Sequence, residues 1–480
     1  MLQPEESPHL SKRYRWFVTL TVILATSAMV VEATIINVAI PSIMHHFAMS
    51  QDTAQLLSTG FLGAMAATML LASWFEEAFG QRRTYMIALT LFVLSSLLGG
   101  LADNSALLIV ARILQGAIAG LIQPLGMVAI YRVFPEAERG RAMSIFGLGV
   151  VLAPALGPAV GGYLVDVFSW RAIFFVTVPF CTLSVLLSSR YLPGREFSHQ
   201  RRPFDWFGCL LLSLFLACLL TGFAVGHKQG WLSVDFLLRL VATLSLAVGF
   251  VVLESKLPHP LLNLKLLVNT RFAAATVVAF IYGIGLYGST YLIPLFVQTV
   301  IHYDAGQSGM LLLPGGIALA LSISLAGYLM DHFPAHWLML IGLACFATSF
   351  LLLASAGSHA SFLAMTTWIV IGRIGLGLTI PSLNMGALKA VVSEHLSQAS
   401  GAVNFFRQLG GAIGVNILSI LLDWLSMRGI QLGQTTVKAH DAAFSNSFIV
   451  LTGVFLLAIY PAWRMRGKTE NIRVEKIREP

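Results

Sequence analysis

Charge is what this chain has least of. Only 11% of its 480 residues are Asp, Glu, Lys or Arg, against about 25% in ordinary globular proteins. With 57% hydrophobic residues and a mean hydropathy of +0.80, a string of soluble domains is excluded and a chain dissolved in lipid is implied. Cysteine is scarce as well. Cys181, Cys209, Cys218 and Cys345 lie in apolar runs with no CxxC spacing, so they read as small core residues and not as a disulfide or zinc framework. The His residues all fall in loops or near the ends of apolar runs, which removes the paired intramembrane ligands a haem needs. No HExxH or GxSxG sequence is present, which removes the usual zinc and serine hydrolase sites. Arg466-Gly467-Lys468-Thr469 imitates the end of a phosphate-binding loop, but position 462 is alanine and the stretch follows an apolar run instead of a strand. ATP hydrolysis and enzyme chemistry in general therefore have no seat here, and no cofactor or metal is expected.

What is present is a series of apolar runs, each near the roughly 20 residues that cross about 30 Å of hydrocarbon. They lie near 16–43, 53–75, 84–102, 106–131, 141–165, 171–191, 205–226, 233–254, 272–299, 307–330, 335–356, 361–382, 399–424 and 445–463. Fourteen spans result, and the even count puts both termini on one side. With the N-terminus in the cytoplasm, 22 of the 30 Lys and Arg residues fall inside. That asymmetry supports cytoplasmic termini and accounts for the net charge of +8 as an orientation signal, without invoking nucleic acid. The polar residues 1–15 precede a run too long for a signal-peptide core, so that run is expected to be retained as the first span.

The chain also repeats itself. Ile109-Val110-Ala111-Arg112-Ile113-Leu114-Gln115-Gly116 in span 4 is echoed by Val370-Ile371-Gly372-Arg373-Ile374-Gly375-Leu376-Gly377 in span 12. An offset of eight spans between six-helix bundles leaves two extra helices between them. The expected organisation is a cytoplasmic tail (1–15), an N-terminal six-helix bundle (16–192), a cytoplasmic linker with two inserted helices (193–264), a C-terminal six-helix bundle (265–464) and a second tail (465–480).

An ionisable residue inside hydrocarbon is a functional hypothesis by default. Of the 22 acids only Glu32 lies well inside a span. Burial disfavours the charged form of a carboxyl and a nearby cation favours it, so a Glu held between these influences can load and unload a proton. The bland alternative is a Glu permanently paired with an Arg to fix packing. Arg112 lies at similar depth, with Gln115 on roughly the same helix face. Arg373 and Arg407 have no intramembrane acid in their own half; they face a watery cavity, contact carbonyls or bind an anionic group. Span 5 carries Gly147, Gly149, Pro154, Gly157, Pro158, Gly161 and Gly162, and span 13 carries Gly401, Gly410, Gly411 and Gly414. These glycines fit either close packing or hinging.

Several of these residues resemble the major facilitator superfamily, and within it the fourteen-span drug:proton antiporters of the EmrB/QacA type. Glu32-Ala33-Thr34-Ile35-Ile36-Asn37-Val38-Ala39-Ile40-Pro41 is similar to that family's first-helix motif, with Glu where Asp is usual. Arg112-Ile113-Leu114-Gln115-Gly116 matches its RxxQG motif, and Gly157-Pro158-Ala159-Val160-Gly161-Gly162 its antiporter motif. The loop motif after span 2 is degraded: Ser73, Glu77 and Ala78 stand where Gly, Asp and Arg are usual, while Gly80 and Arg82 remain. The resemblance implies an all-α integral membrane protein of the major facilitator fold, in a bacterial cytoplasmic (inner) membrane. It implies proton-coupled multidrug efflux of small amphipathic or lipophilic compounds by alternating access, energised by the proton gradient. Glu32 and Arg112 would couple protons; Thr34, Asn37, Gln115, Arg373 and Arg407 would line the substrate cavity. Glu77, Gly80, Arg82 and the span 5 motif would serve the conformational change. Partners would be protons, small molecules and lipid, with a periplasmic adaptor and outer-membrane channel as further candidates. Two rival readings are a dedicated exporter of one metabolite, such as a siderophore or acidic antibiotic, and a non-transporting scaffold or sensor.

Overall fold

The computed structural model describes residues 11–466 except 50, most of 136–159, 166, 195–203, 259, 304, 331, 356 and 358–359. Among the described residues every regular element is helical. Polar residues before the apolar runs set many of the helix starts, because each offers an oxygen to an otherwise unbonded N–H of the first turn. Asn104 caps α5 (Ser105–Val133) through the Leu107 N–H at 2.8 Å. Asp205 caps α8 (Trp206–Gln229) through Gly208 at 2.8 Å, and Ser233 caps α9 (Val234–Lys256) through Phe236 at 3.3 Å. Asn269 likewise opens α11 (Thr270–Thr299), and Ser361 opens α14 (Phe362–Lys389).

The N-terminal half comprises α1 (Lys12–Phe47), α2 (Gln51–Met69), α3 (Ala72–Phe79), α4 (Gln81–Gly100), α5, the partly described stretch near 142–167, and α6 (Ala172–Phe175) with α7 (Val178–Tyr191). In it α2 packs on α5, α4 on α5 and α7, and α1 on α5 and α7. After α8, α9 and the short α10 (Leu264–Val268) come α11, α12 (Ala305–Leu329), α13 (Ala335–Ala354), α14, α15 (Leu396–Gln431) and α16 (Thr436–Arg464). There α11 packs on α15 and α16, and α14 packs on α12 and α13. The two helices that carry the similar Arg112 and Arg373 segments have similar neighbours. The Arg112 helix leans on α2 and the Arg373 helix leans on α12, the second span of each half.

Among the described residues twelve helical stretches are long and apolar enough to cross a membrane, and α2 with α3, bent by 54°, makes a thirteenth if the pair is one span. The remaining expected span, 141–165, falls mostly outside the described residues. The inserted pair α8 and α9 pack on one another, and α8 also touches α2 and α15. A Cβ on Gly63 would stand 2.9 Å from Leu220 Cδ1, which shows how closely α8 lies on α2. Leu238, Val241, Leu244 and Val248 of α9 point outward, as a lipid-facing surface does. The connection expected between spans 13 and 14 shrinks to 432–435, because α15 and α16 continue beyond the apolar runs.

The two halves meet at one end of the molecule. Ser400 and Asn404 of α15 touch the Met127 sulfur of α5 at 3.2 and 3.9 Å. A Cβ on Gly401 would lie 3.1 Å from the Met69 carbonyl oxygen, and one on Gly147 3.3 Å from Ile323 of α12. This is the end that carries Lys12 and Arg464: Arg15 pairs with Glu138, beyond the end of α5, at 3.3 Å.

Candidate functional site

The lone mid-span acid is fully enclosed. Glu32 and Arg112 are both 0% exposed, with Arg112 Nη1 3.2 Å from Glu32 Oε1. Arg112 also donates to the Glu32 carbonyl at 3.2 Å, the Leu57 carbonyl at 3.0 Å and Gln115 Oε1 at 3.0 Å. Its guanidinium carbon lies 4.4 Å from the centre of the Phe61 ring. Gln115 Nε2 donates to Glu32 Oε1 at 3.3 Å and to Ser96 Oγ at 2.9 Å, and Thr177 donates to Glu32 Oε2 at 3.1 Å. Every part of this pair is thereby bonded, the condition under which a buried ion pair is tolerated.

Gly116 makes the arrangement possible. A Cβ there would collide with the Phe61 backbone, so only glycine lets α5 approach α2 closely enough for Arg112 to reach Leu57. Chemically the cluster can exist with Glu32 ionised against Arg112, or with Glu32 protonated once the contacts loosen or water enters.

Thr34 and Asn37 stand apart from this cluster. The Thr34 hydroxyl bonds the Val31 carbonyl at 3.2 Å and faces Gly157, whose Cβ would strike it. Asn37 is exposed and accepts from Ser58 at 2.7 Å. A Cβ on Gly161 would lie 2.6 Å from Ile35 Cγ1, and one on Gly162 3.7 Å from Val38. These span 5 glycines therefore serve close packing against α1. Pro158 lies outside the described residues.

The degraded loop motif keeps its glycine for a backbone reason. Gly80 has φ +79° and joins α3 to α4, donating its N–H to the Glu76 carbonyl. A residue with a Cβ would be strained there. The acid that turns inward is Glu76, 7% exposed and 2.5 Å from Arg132 of α5, whereas Glu77 is exposed and Arg82 half-buried. Nearness in the chain favours Arg82 or Arg83 as the partner of these acids; the fold also brings Arg132, from α5, onto Glu76.

In the C-terminal half Arg407 is buried and donates to Asn404 Oδ1 at 2.5 Å. Arg373 is half-buried on α14, and a Cβ on Gly315 of α12 would be 3.1 Å from its Cγ. Tyr282, which the sequence did not single out, lies within electrostatic reach of both arginines.

An all-helical bundle of this kind, with a bonded carboxylate and cations at mid-depth, belongs to a multi-pass membrane transporter. The Major Facilitator Superfamily profile matches residues 21–415, and the chain belongs to that superfamily. It is 30% identical to the multidrug export protein EmrB of Haemophilus influenzae, over 87% of this chain and 82% of that protein. It is 29% identical to the multidrug resistance protein B homolog of Mycobacterium tuberculosis, over 84% of this chain and 75% of the relative. Its fold is similar to that of the human organic anion transporter MFSD10, with a TM-score of 0.63 at 14% identity, covering 96% of this chain and 100% of that one.

Proposed function

We propose that this protein is a proton-coupled exporter of small amphipathic or lipophilic compounds, set in a bacterial cytoplasmic membrane with both termini in the cytoplasm. The observation that carries the reading is the enclosed Glu32–Arg112 pair, in a chain whose relatives are named multidrug transporters. With cytoplasmic termini, the end at which the halves meet is the inner one, the arrangement expected of the outward-facing stage of an alternating-access cycle. Glu32 takes a proton from outside as substrate leaves, separates from Arg112, and releases the proton inside after the halves reorient. Coupling requires that each orientation bind proton and substrate differently. One proton falling through roughly 100 mV supplies about 2.3 kcal/mol, enough for a gradient of roughly fortyfold.

The test compares wild type with Glu32→Gln in inverted vesicles, following pH-driven accumulation of several unrelated lipophilic compounds. Loss of uphill transport with substrate binding retained is the expected result. Normal uphill transport by the variant removes Glu32 from the mechanism, and transport of one compound alone favours a dedicated exporter.

A further inference from the structure

The two halves repeat an arginine but not its partner. In the N-terminal half Arg112 is bonded to Glu32, Gln115 and two backbone carbonyls. In the C-terminal half the corresponding Arg373 enters no hydrogen bond or ion pair among the described residues. The group near it from α11, the first span of its half, is Tyr282, a phenol where the other half supplies a carboxylate. Helices α11, α12, α13 and α14 contain no acid. On α15 the only one is Asp423, 16 positions from Arg407 and so about 24 Å along the helix. Asp441 of α16 is near that helix's start.

The donors left over converge with the charge. Among the described residues Tyr282 Oη and Gln408 Nε2 are buried without a hydrogen-bond partner. The Gln408 oxygen is already taken by Tyr287 Oη at 2.9 Å, which fixes the amide and leaves its NH2 to offer. Tyr282 is within electrostatic reach of both Arg373 and Arg407. Glycines hold this geometry: a Cβ on Gly283 would strike the Arg407 carbonyl, and one on Gly410 the Phe280 carbonyl. Arg407 has Asn404 as its bonded partner and Arg373 is half-buried, so the cost falls on the two buried donors, which an oxyanion drawn in by the two cations would complete.

We propose that Arg373, Arg407, Tyr282 and Gln408 form an anion subsite for the carboxylate or sulfonate head of an amphipathic organic acid, with the apolar body of the molecule against the surrounding spans. The exporter reading supplies the direction of transport, and on that it rests; binding at the subsite needs no proton gradient.

Equilibrium binding of 2-naphthoate and of its neutral amide, 2-naphthamide, to the purified full-length protein tests this. Wild type is expected to bind naphthoate at least tenfold tighter than naphthamide. Arg373→Gln and Arg407→Gln are expected to lose that preference with naphthamide affinity unchanged, and Arg373→Lys to keep part of it. Tyr282→Phe, which removes only a hydroxyl, is expected to weaken naphthoate several-fold and serves should a glutamine variant fail to fold. No saturable naphthoate binding, equal affinity for the two probes, or wild-type naphthoate affinity in the folded variants overturns the subsite. If naphthoate binds through Arg373 while Glu32→Gln still transports uphill, the proton-exporter reading falls and the subsite stands. The reverse pattern sinks the subsite alone.

Discussion

Thr177 donates to Glu32 Oε2 at 3.1 Å, on the oxygen that Arg112 and Gln115 leave unbonded. It sits where the sixth span breaks between α6 and α7, is 2% exposed, and so lies out of reach of solvent that could replace it. A hydrogen bond to a charged group contributes about 1.5–3 kcal/mol. Thr177→Val is therefore expected to slow substrate-induced proton release at least tenfold, and Thr177→Ser to restore most of it. Release is read with a pH indicator in lightly buffered detergent solution. A valine variant as fast as wild type shows that this bond plays no part in proton movement.

Glu32 was legible in the sequence because it is the single acid in a long apolar run, and Gln115 because three positions from Arg112 places it on the same helix face. Thr177 was not legible. A threonine at a helix end is ordinary, and only the packing of α7 on α1 aims it at the carboxylate. Tyr282 was missed for a similar reason, since tyrosine is common in spans and its neighbours come from α14 and α15. Glu76 found Arg132, 56 positions away, because the 54° bend before α3 turns that short helix toward α5. Neighbours along the chain are a poor guide where a helix breaks. The long apolar helices, by contrast, were readable from run length alone.

Removing one member of a buried pair leaves the other as an uncompensated charge, at a cost of about 3–5 kcal/mol. Glu32→Gln and Arg112→Gln are each expected to lower the thermal stability of the detergent-solubilised protein. The double variant, with two neutral amides in the same space, is expected to be more stable than Glu32→Gln alone, which leaves the Arg112 charge unpaired, while transporting nothing uphill. Additive losses in the double variant would show that the pair is not coupled in the folded protein.

Close approach of α11 and α15 depends on glycines whose Cβ would overlap backbone. Gly410→Ala places a methyl group on the Phe280 carbonyl, and such overpacking costs about 1–3 kcal/mol. Around Gly453 of α16 nothing among the described residues lies within 4 Å of the place a methyl group would occupy, so Gly453→Ala is expected to be neutral or to stabilise by up to about 1 kcal/mol. Thermal unfolding of the two variants side by side checks this. Equal behaviour would mean that the α11–α15 contact has slack.

The Glu76–Arg132 pair borders the seam where the halves close. Met127, Tyr131 and Arg132 line one side of a small gap there, and Leu388 and Leu396 the other. Arg132 is 57% exposed, so solvent screening limits the pair to about 0.5–1 kcal/mol, a two- to fivefold shift in population. Met127→Cys, made after replacing Cys181, Cys209, Cys218 and Cys345, reports on the seam, because Met127 is 2% exposed while the halves are closed. Adding Glu76→Gln is expected to raise its maleimide labelling two- to fivefold, and unchanged labelling would deny the pair a role in holding the seam shut. Glu77→Gln in the same background separates motif from geometry. By family resemblance Glu77 stands at the latch position, yet Glu76 is the acid turned inward against α5, so the larger effect is expected at Glu76.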